Sequence, residues 1–230
     1  MLSIENLDAF YGKAHVLHRI NISVDRGDLL AILGRNGVGK TALLKAIMGI
    51  EVVRRGKIML RGENISGLKT HEIARLGVFY IPDDTGLFQG MTVLENLRLA
   101  TGRKNIDPAM LEEIYPDIRN LINRRADLLS GGERKIVSIL RSIVSGSELI
   151  LIDEPTEGVM PIMVKKIYSL LNELRRKGKT IVLVEPGTKL NNVLEISTKI
   201  AIMSGGRIVY INDKDKAIDE LEIIRKQLFV

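Results

Sequence analysis

A chain of 230 residues and 25.6 kDa can bury one substantial core, so its size argues for a single domain with at most a lobe inserted in it. With 45% hydrophobic and 27% charged residues it has a globular make-up, and no apolar run approaches the roughly 20 residues that cross a bilayer, so a membrane role has to come through partners. The absence of cysteine removes disulfides and thiol chemistry, three scattered histidines argue against a metal site, and a net charge of +6 spread along the chain with few aromatics speaks against nucleic acid.

The N-terminus, Met1 to Asn6, has neither a basic start nor an apolar core segment, so no signal peptide is expected and the chain is placed in the cytoplasm. Residues 2–23 carry short apolar runs broken by Tyr11-Gly12-Lys13, which predicts antiparallel strands. Residues 29–33 form a continuous apolar run, as in a strand buried on both faces, and a glycine-rich turn and the helical pattern of 42–48 follow. A hairpin is expected around Arg61-Gly62-Glu63-Asn64, and a strand over 78–81 ending at Pro82. From about Thr92 to Arg125 the spacing of Val93, Leu97, Leu111, Ile114, Ile118 and Leu121 turns helical, which predicts a helical subdomain over about 84–145 inserted in the α/β core. After Ser130-Gly131-Gly132 a helix carries Ile136, Val137, Leu140, Ile143 and Val144 on one stripe; strands recur over 149–152, 180–184 and 200–203, and 214–229 reads as one closing amphipathic helix. The alternation predicts an α/β fold with a mainly parallel sheet, helices on both faces and an N-terminal antiparallel β subdomain.

Gly34-Arg35-Asn36-Gly37-Val38-Gly39-Lys40-Thr41 fits the phosphate-binding P-loop pattern between a buried strand and a helix. Glycines let backbone N–H groups approach phosphates, the helix start adds partial positive charge, Lys40 neutralises phosphate oxygens and the Thr41 hydroxyl suits Mg²⁺. The apolar strand that ends in Asp153-Glu154 puts two carboxylates at the ligand-binding edge of a parallel sheet, Asp153 for Mg²⁺ and Glu154 to polarise a water. Leu129-Ser130-Gly131-Gly132-Glu133 reads first as a helix N-cap with a capping box; a serine with paired glycines at a helix start is also a second phosphate site, open to another molecule.

That string, 23 residues ahead of Asp153, resembles the signature of ABC (ATP-binding cassette) ATPases, and the likeness runs over essentially the whole chain. The resemblance implies a P-loop NTPase fold, ATP and Mg²⁺ as cofactors, and a head-to-tail dimer with a second ABC ATPase subunit, identical or not. Each ATP would lie between Gly34, Arg35, Asn36, Gly37, Val38, Gly39, Lys40, Thr41 and Ala42 of one subunit and Ser130, Gly131 and Gly132 of the other, with Lys40 and Ser130 stabilising phosphate charge. Tyr11 matches the aromatic that stacks on adenine, with Val16 beside it. Polytopic membrane permease subunits and a peripheral place on the inner face of the cell membrane follow from the same resemblance. Within the family, Tyr80-Ile81-Pro82, Tyr115-Pro116, Asp153 to Gly158 and Val184-Glu185 are most similar to ATPase subunits of branched-chain amino-acid importers.

Two positions depart from the family pattern. Where a glutamine usually approaches Mg²⁺ the chain has Asp83, taken here as a metal candidate; where a histidine or glutamine usually contacts the γ-phosphate it has Pro186, which donates no hydrogen bond. Slow or partner-dependent hydrolysis is the expectation, with the intact signature serving a site on a non-identical partner. Two alternatives stand beside a transport ATPase: a nucleotide-binding regulatory subunit with weak or lost hydrolysis, and a soluble ABC ATPase without a transporter.

Overall fold

The computed structural model describes residues 1–102 and 106–229. Strands β1 (Leu2–Tyr11) and β2 (Ala14–Val24) form an antiparallel hairpin, turned at Gly12, whose φ of 56° is one that side chains disfavour. β4 (Val53–Leu60) pairs with the free edge of β1, and the short β5 (Glu63–Asn64) with β4. A second sheet holds β3 (Leu29–Gly34), β6 (Val78–Ile81), β7 (Leu149–Asp153), β8 (Thr180–Pro186), β9 (Lys199–Ser204) and β10 (Arg207–Asp213). Its order is β10-β9-β3-β8-β7-β6, parallel throughout except for β10.

The continuous apolar runs of the sequence are explained by this second sheet, because alternate side chains enter two different cores. Leu30, Ile32, Leu149, Leu151, Val182 and Val184 pack toward the antiparallel sheet and helix α1 (Lys40–Met48). Leu29, Leu33, Ile150, Ile152, Ile181 and Leu183 pack the other way, against α5 (Gly131–Val144), α6 (Pro161–Arg176) and α7 (Leu190–Ile196), whose Ile136, Leu140, Ile167, Leu171 and Val193 are fully buried. Between β4 and β6 lies α2 (Thr70–Arg75). No helix of the described residues is long and apolar enough to cross a membrane.

Several expectations need adjustment. The helical pattern of Thr92 to Arg125 crosses residues 103–105, which lie outside the described residues; around them it is divided into α3 (Val93–Thr101), α4 (Pro108–Ile114) and a 3₁₀ turn at Pro116–Asn120. Pro116 pushes Tyr115 out of helical geometry, to φ −142° and ψ 88°. The two ends of the stretch are clipped together where Val93 N–H donates to the Arg124 carbonyl and Ala126 N–H to that of Met91, both at 2.9 Å. The expected closing helix is two, α8 (Lys214–Asp219) and α9 (Leu221–Phe229), because the Glu220 carboxylate between them turns back to accept from the Tyr210 hydroxyl on β10 at 2.8 Å. β10 and α2 were not marked by the hydrophobic pattern. Against the expectation of scattered histidines, register shifts between β1 and β2 bring His15 and His18 together, with ring centroids 4.0 Å apart.

Arg54 joins the two halves of this architecture. Gly49, at φ 69°, ends α1 and leaves room for the Arg54 guanidinium, which donates to the carbonyls of Ala46, Ile47, Ile65 and Leu68 at 2.6–3.3 Å. Those carbonyls lie at a helix end and in a loop, where Ala46 and Ile65 also accept from the Gly49 and Leu68 N–H groups at 3.3 and 3.1 Å, so the guanidinium completes acceptor capacity that the backbone only partly uses. Lysine offers a point charge in place of the planar fork. Arg54→Lys is therefore expected to lower stability by about 2 kcal/mol, read as a shift of the urea midpoint; an unchanged midpoint would mean that water satisfies these carbonyls equally well.

Candidate functional site

The turn from β3 into α1 is shaped by glycines at places where a side chain does not fit. A Cβ on Gly34 would lie 2.4 Å from the Met203 carbonyl oxygen, and Gly37 and Gly39 have φ of 80° and 109°. The result is a loop that lines a cavity of about 560 Å³, a size suited to a small ligand. Tyr11, Val16, Asn36, Gly37, Val38, Gly39, Lys40, Thr41, Ala42 and Glu154 line it together. Gly34 and Arg35 open instead on a neighbouring cavity with Thr156, Glu157 and Pro186, and Asn36 borders both. His15, His18, Gly205 and Gly206 complete the first cavity; sequence reasoning had placed none of the four there.

Lys40 is the buried cation of the loop. Its side chain is 3% exposed and its Nζ lies 2.9 Å from Glu154 Oε1, while it also donates to the Gly34 and Arg35 carbonyls at 3.2 and 3.1 Å. Burial works to raise the Glu154 carboxyl, but hydrogen bonds from Glu157 and Lys40 and the Lys40 charge outweigh it and hold the group below the usual range. Glu157, sharing that hydrogen bond and facing the Glu154 charge, is pushed up. Glu154 occupies the left-handed region at φ 40°, and its N–H donates to the Val184 carbonyl at 3.0 Å. The preceding Asp153 is buried, accepts from Thr41 Oγ1 and Tyr80 Oη at 3.2 Å each, and is pushed up by burial.

The hydroxyl of Thr41 and the carboxylate of Asp153 thus form a hard oxygen pair of the kind Mg²⁺ accepts while keeping water and phosphate on its other positions. The charge of Asp83 is near enough to help push Asp153 up. Asp83 Oδ1 accepts from the Asp84 N–H at 2.8 Å, and among the described residues Asp83, Asp153 and Glu154 do not gather as one three-carboxylate set. The loop that carries Asp83 is held by three side chains of α5 spaced three apart: Lys135 donates to the Asp83 carbonyl at 2.6 Å, Ser138 to that of Thr85 at 2.7 Å and Arg141 to that of Gly86 at 2.7 Å. Lys135 also donates to the Glu154 carbonyl at 3.0 Å, so one buried ammonium ties the two acidic segments. The 135/138/141 row of donors was visible in the sequence, but on a helix it reads as a solvated edge.

Ser130 caps α5 as a capping box, accepting from Glu133 N–H at 3.3 Å while Glu133 Oε2 accepts from Ser130 N–H at 2.7 Å. Ser130 and Gly131 are exposed, and neither they nor Gly132 line the cavity of Lys40. A Cβ on Gly132 would meet Met163 at 2.7 Å, so this glycine also permits the close approach of α5 and α6.

Behind the site, Glu185 is fully buried at the end of β8. Its Oε1 accepts from Thr156 Oγ1 at 2.8 Å and Tyr168 Oη at 3.2 Å, and Oε2 has no hydrogen-bond partner among the described residues. Burial pushes this carboxyl up to about 7 against the pull of those two bonds. The folded protein therefore holds a proton that the unfolded chain, near the ordinary value of 4.5, releases. Stability is greater on the acid side and falls as pH rises from about 4.5 to about 7, by about 3 kcal/mol. Glu185→Gln is expected to remove that fall, so that the variant gains on the wild type toward pH ~8 in denaturant titrations; parallel curves for the two proteins would refute it.

Comparison with known proteins agrees with this geometry. A family model described as ABC transporter matches residues 17–157. The high-affinity branched-chain amino acid transport ATP-binding protein BraG of Pseudomonas aeruginosa is 32% identical over 91% of each chain, and the probable branched-chain amino acid transport ATP-binding protein LivF of Archaeoglobus fulgidus is 32% identical over the same shares. The lipopolysaccharide export system ATP-binding protein LptB of Haemophilus influenzae is 29% identical over 99% of this chain and 97% of its own. Among solved structures, the ADP conformation of MJ1267, an ATP-binding cassette of an ABC transporter, superposes with a TM-score of 0.83 at 26% identity, covering 99% of this chain and 97% of that one. The chain belongs to the ABC transporter family as an ATP-binding, ATP-hydrolysing subunit.

Proposed function

We propose that this chain energises an importer of branched-chain or other amino acids, working as one half of an ATPase dimer bound to polytopic permease subunits at the inner face of the cell membrane. The observation that carries the reading is the single cavity in which the phosphate loop, Lys40 and Glu154 meet beside the Thr41–Asp153 pair. The substrate class rests on two relatives named for branched-chain amino acid transport, at 32% identity each, while several named for lipopolysaccharide export stand at 29–30%. A site built for nucleotide has no part in recognising the cargo, so in this reading the permease chooses it.

In this reading Tyr11 and Val16 receive the base, and residues 34–42, with Lys40 at their centre, receive the triphosphate. Thr41 and Asp153 hold Mg²⁺, which supplies positive charge to phosphate oxygens when bound. Lys40 exchanges Glu154 and two loop carbonyls for phosphate oxygens as nucleotide enters. Glu154 is thereby freed from Lys40 and accepts a proton from the attacking water. Ser130, Gly131 and Gly132 face away from this cavity and serve the nucleotide of the second subunit, where the open start of α5 stabilises phosphate charge. The helical subdomain over about 84–145 presents that signature and the loop held by Lys135.

Asp83, with its carboxylate turned to the Asp84 backbone, and Pro186, which has no donor, leave the γ-phosphate with fewer contacts than the family pattern provides. Turnover of the isolated chain is accordingly slow and rises when a partner completes the site. Two variants test the assignment. Glu154→Gln is expected to lower the ATPase rate by about 100-fold or more while ATP binding persists, and Pro186→His to raise the rate. Brisk turnover that Glu154→Gln leaves intact would sink the proposed base.

A further inference from the structure

Outside the nucleotide machinery, one cluster has the chemistry of a ligand site. In a regular strand, residues three apart point to opposite faces, so His15 and His18 of β2 are not expected to meet. The pairing of β1 with β2 runs Ala9↔Leu17 and then Phe10↔His15, which leaves Val16 as an extra residue on β2. That bulge makes His15 and His18 effectively two apart and turns both rings to the same side. A second shift, between Leu7↔Ile20 and Ala9↔Leu17, falls at Arg19, whose φ is 49°, and sets Asp8 across from them.

The donors converge. His15 Nε2 lies 2.7 Å from Asp8 Oδ1, and a ring nitrogen of His18 joins them so that all three ligand atoms lie within 4.8 Å of one another. Among the described residues this is the only group of three or more histidine or carboxylate side chains so arranged. The cluster is held from behind: the Arg19 N–H donates to Asp8 Oδ1 at 3.2 Å, and the His15 ring stacks on Phe10 with centroids 4.3 Å apart and planes 17° apart. Such backing is what orients metal ligands. The side chains of His15 and Asp8 are 38% and 25% exposed, enough for an ion to enter and retain a water.

From these residues we propose that Asp8, His15 and His18 bind a zinc-class divalent ion at the rim of the nucleotide cavity. Bonds of about 2.0–2.2 Å place neighbouring donors of a tetrahedral zinc about 3.4 Å apart, more than the 2.7 Å between His15 and Asp8 and less than the 4.8 Å that encloses the group, and a water fills the fourth position. Two imidazoles and one carboxylate select zinc, cobalt or nickel, whereas the oxygen pair at Thr41 and Asp153 selects magnesium, so the two sites separate by ligand chemistry. His15 and His18 line the same cavity as Tyr11 and Val16, which puts the ion beside the proposed base position. The site does not depend on the assignment of the catalytic residues.

The test uses the untagged full chain, freed of metal by a chelator and kept without nucleotide. Cobalt(II) titration is expected to give one equivalent with the intense visible absorption of a tetrahedral site, displaced by zinc. His15→Ala and His18→Ala are each expected to weaken binding on the order of 10-fold or more. Asp8→Asn is expected to weaken it as well, and His71→Ala, at a remote histidine, to leave it unchanged. Circular dichroism confirms that each variant is folded. Absence of the cobalt spectrum, or wild-type affinity in folded His15→Ala and His18→Ala proteins, overturns the proposal.

Discussion

An ammonium group with 3% of its side chain exposed has to be neutralised, and the site is organised around doing so for Lys40. Desolvation of that charge is tolerable only with a carboxylate and additional acceptors in reach; Glu154 and the Gly34 and Arg35 carbonyls provide them. The same arrangement makes the loop selective for anions. A ligand able to take over from Glu154 has to bring negative charge into a narrow glycine-lined turn, which a chain of phosphates does and a neutral molecule does not. Ligand entry and the freeing of Glu154 are then one event, since both draw on the same ammonium.

A second buried ammonium extends this logic outward. Lys135 spans the Asp83 and Glu154 carbonyls, so the loop after β6 and the end of β7 move with the start of α5. The helix that begins at Ser130 is thereby connected to Glu154 through one side chain rather than through a chain of soft contacts. Further back, Glu185 joins Thr156 on the loop after β7 to Tyr168 on α6, so that α6 is anchored to the same sheet edge. The sheet supplies the rigid ends, and these two groups fix how the surrounding helices meet them.

Much of the fold was legible in the sequence because it depends on local patterns. The runs at 29–33, 149–152 and 180–184 are apolar without interruption, and each is a strand with one core on either side. The phosphate loop was legible for a similar reason: glycine at 34 is demanded by the Met203 carbonyl against it, and at 37 and 39 by a positive φ. What escaped depends on distant partners. The break at Glu220 follows from a hydroxyl on β10, one carboxylate oxygen of Asp83 is engaged by its own turn, and Lys135 looks like any solvated helix lysine until the loop folds over it. The meeting of His15 with His18 follows from an inserted residue in a strand, which hydrophobic alternation does not reveal.

Glu154 sits at φ 40°, a backbone state that glycine enters freely and an acidic residue enters at a cost of about 1 kcal/mol or more. Glycine at this position would relax the backbone but leave the Lys40 ammonium buried without its carboxylate, at a cost of about 3–5 kcal/mol that exceeds the relief. With the cavity empty, the strained backbone at 154 is thus the smaller of two costs, and the ion pair itself keeps an acid where glycine would be conformationally easier.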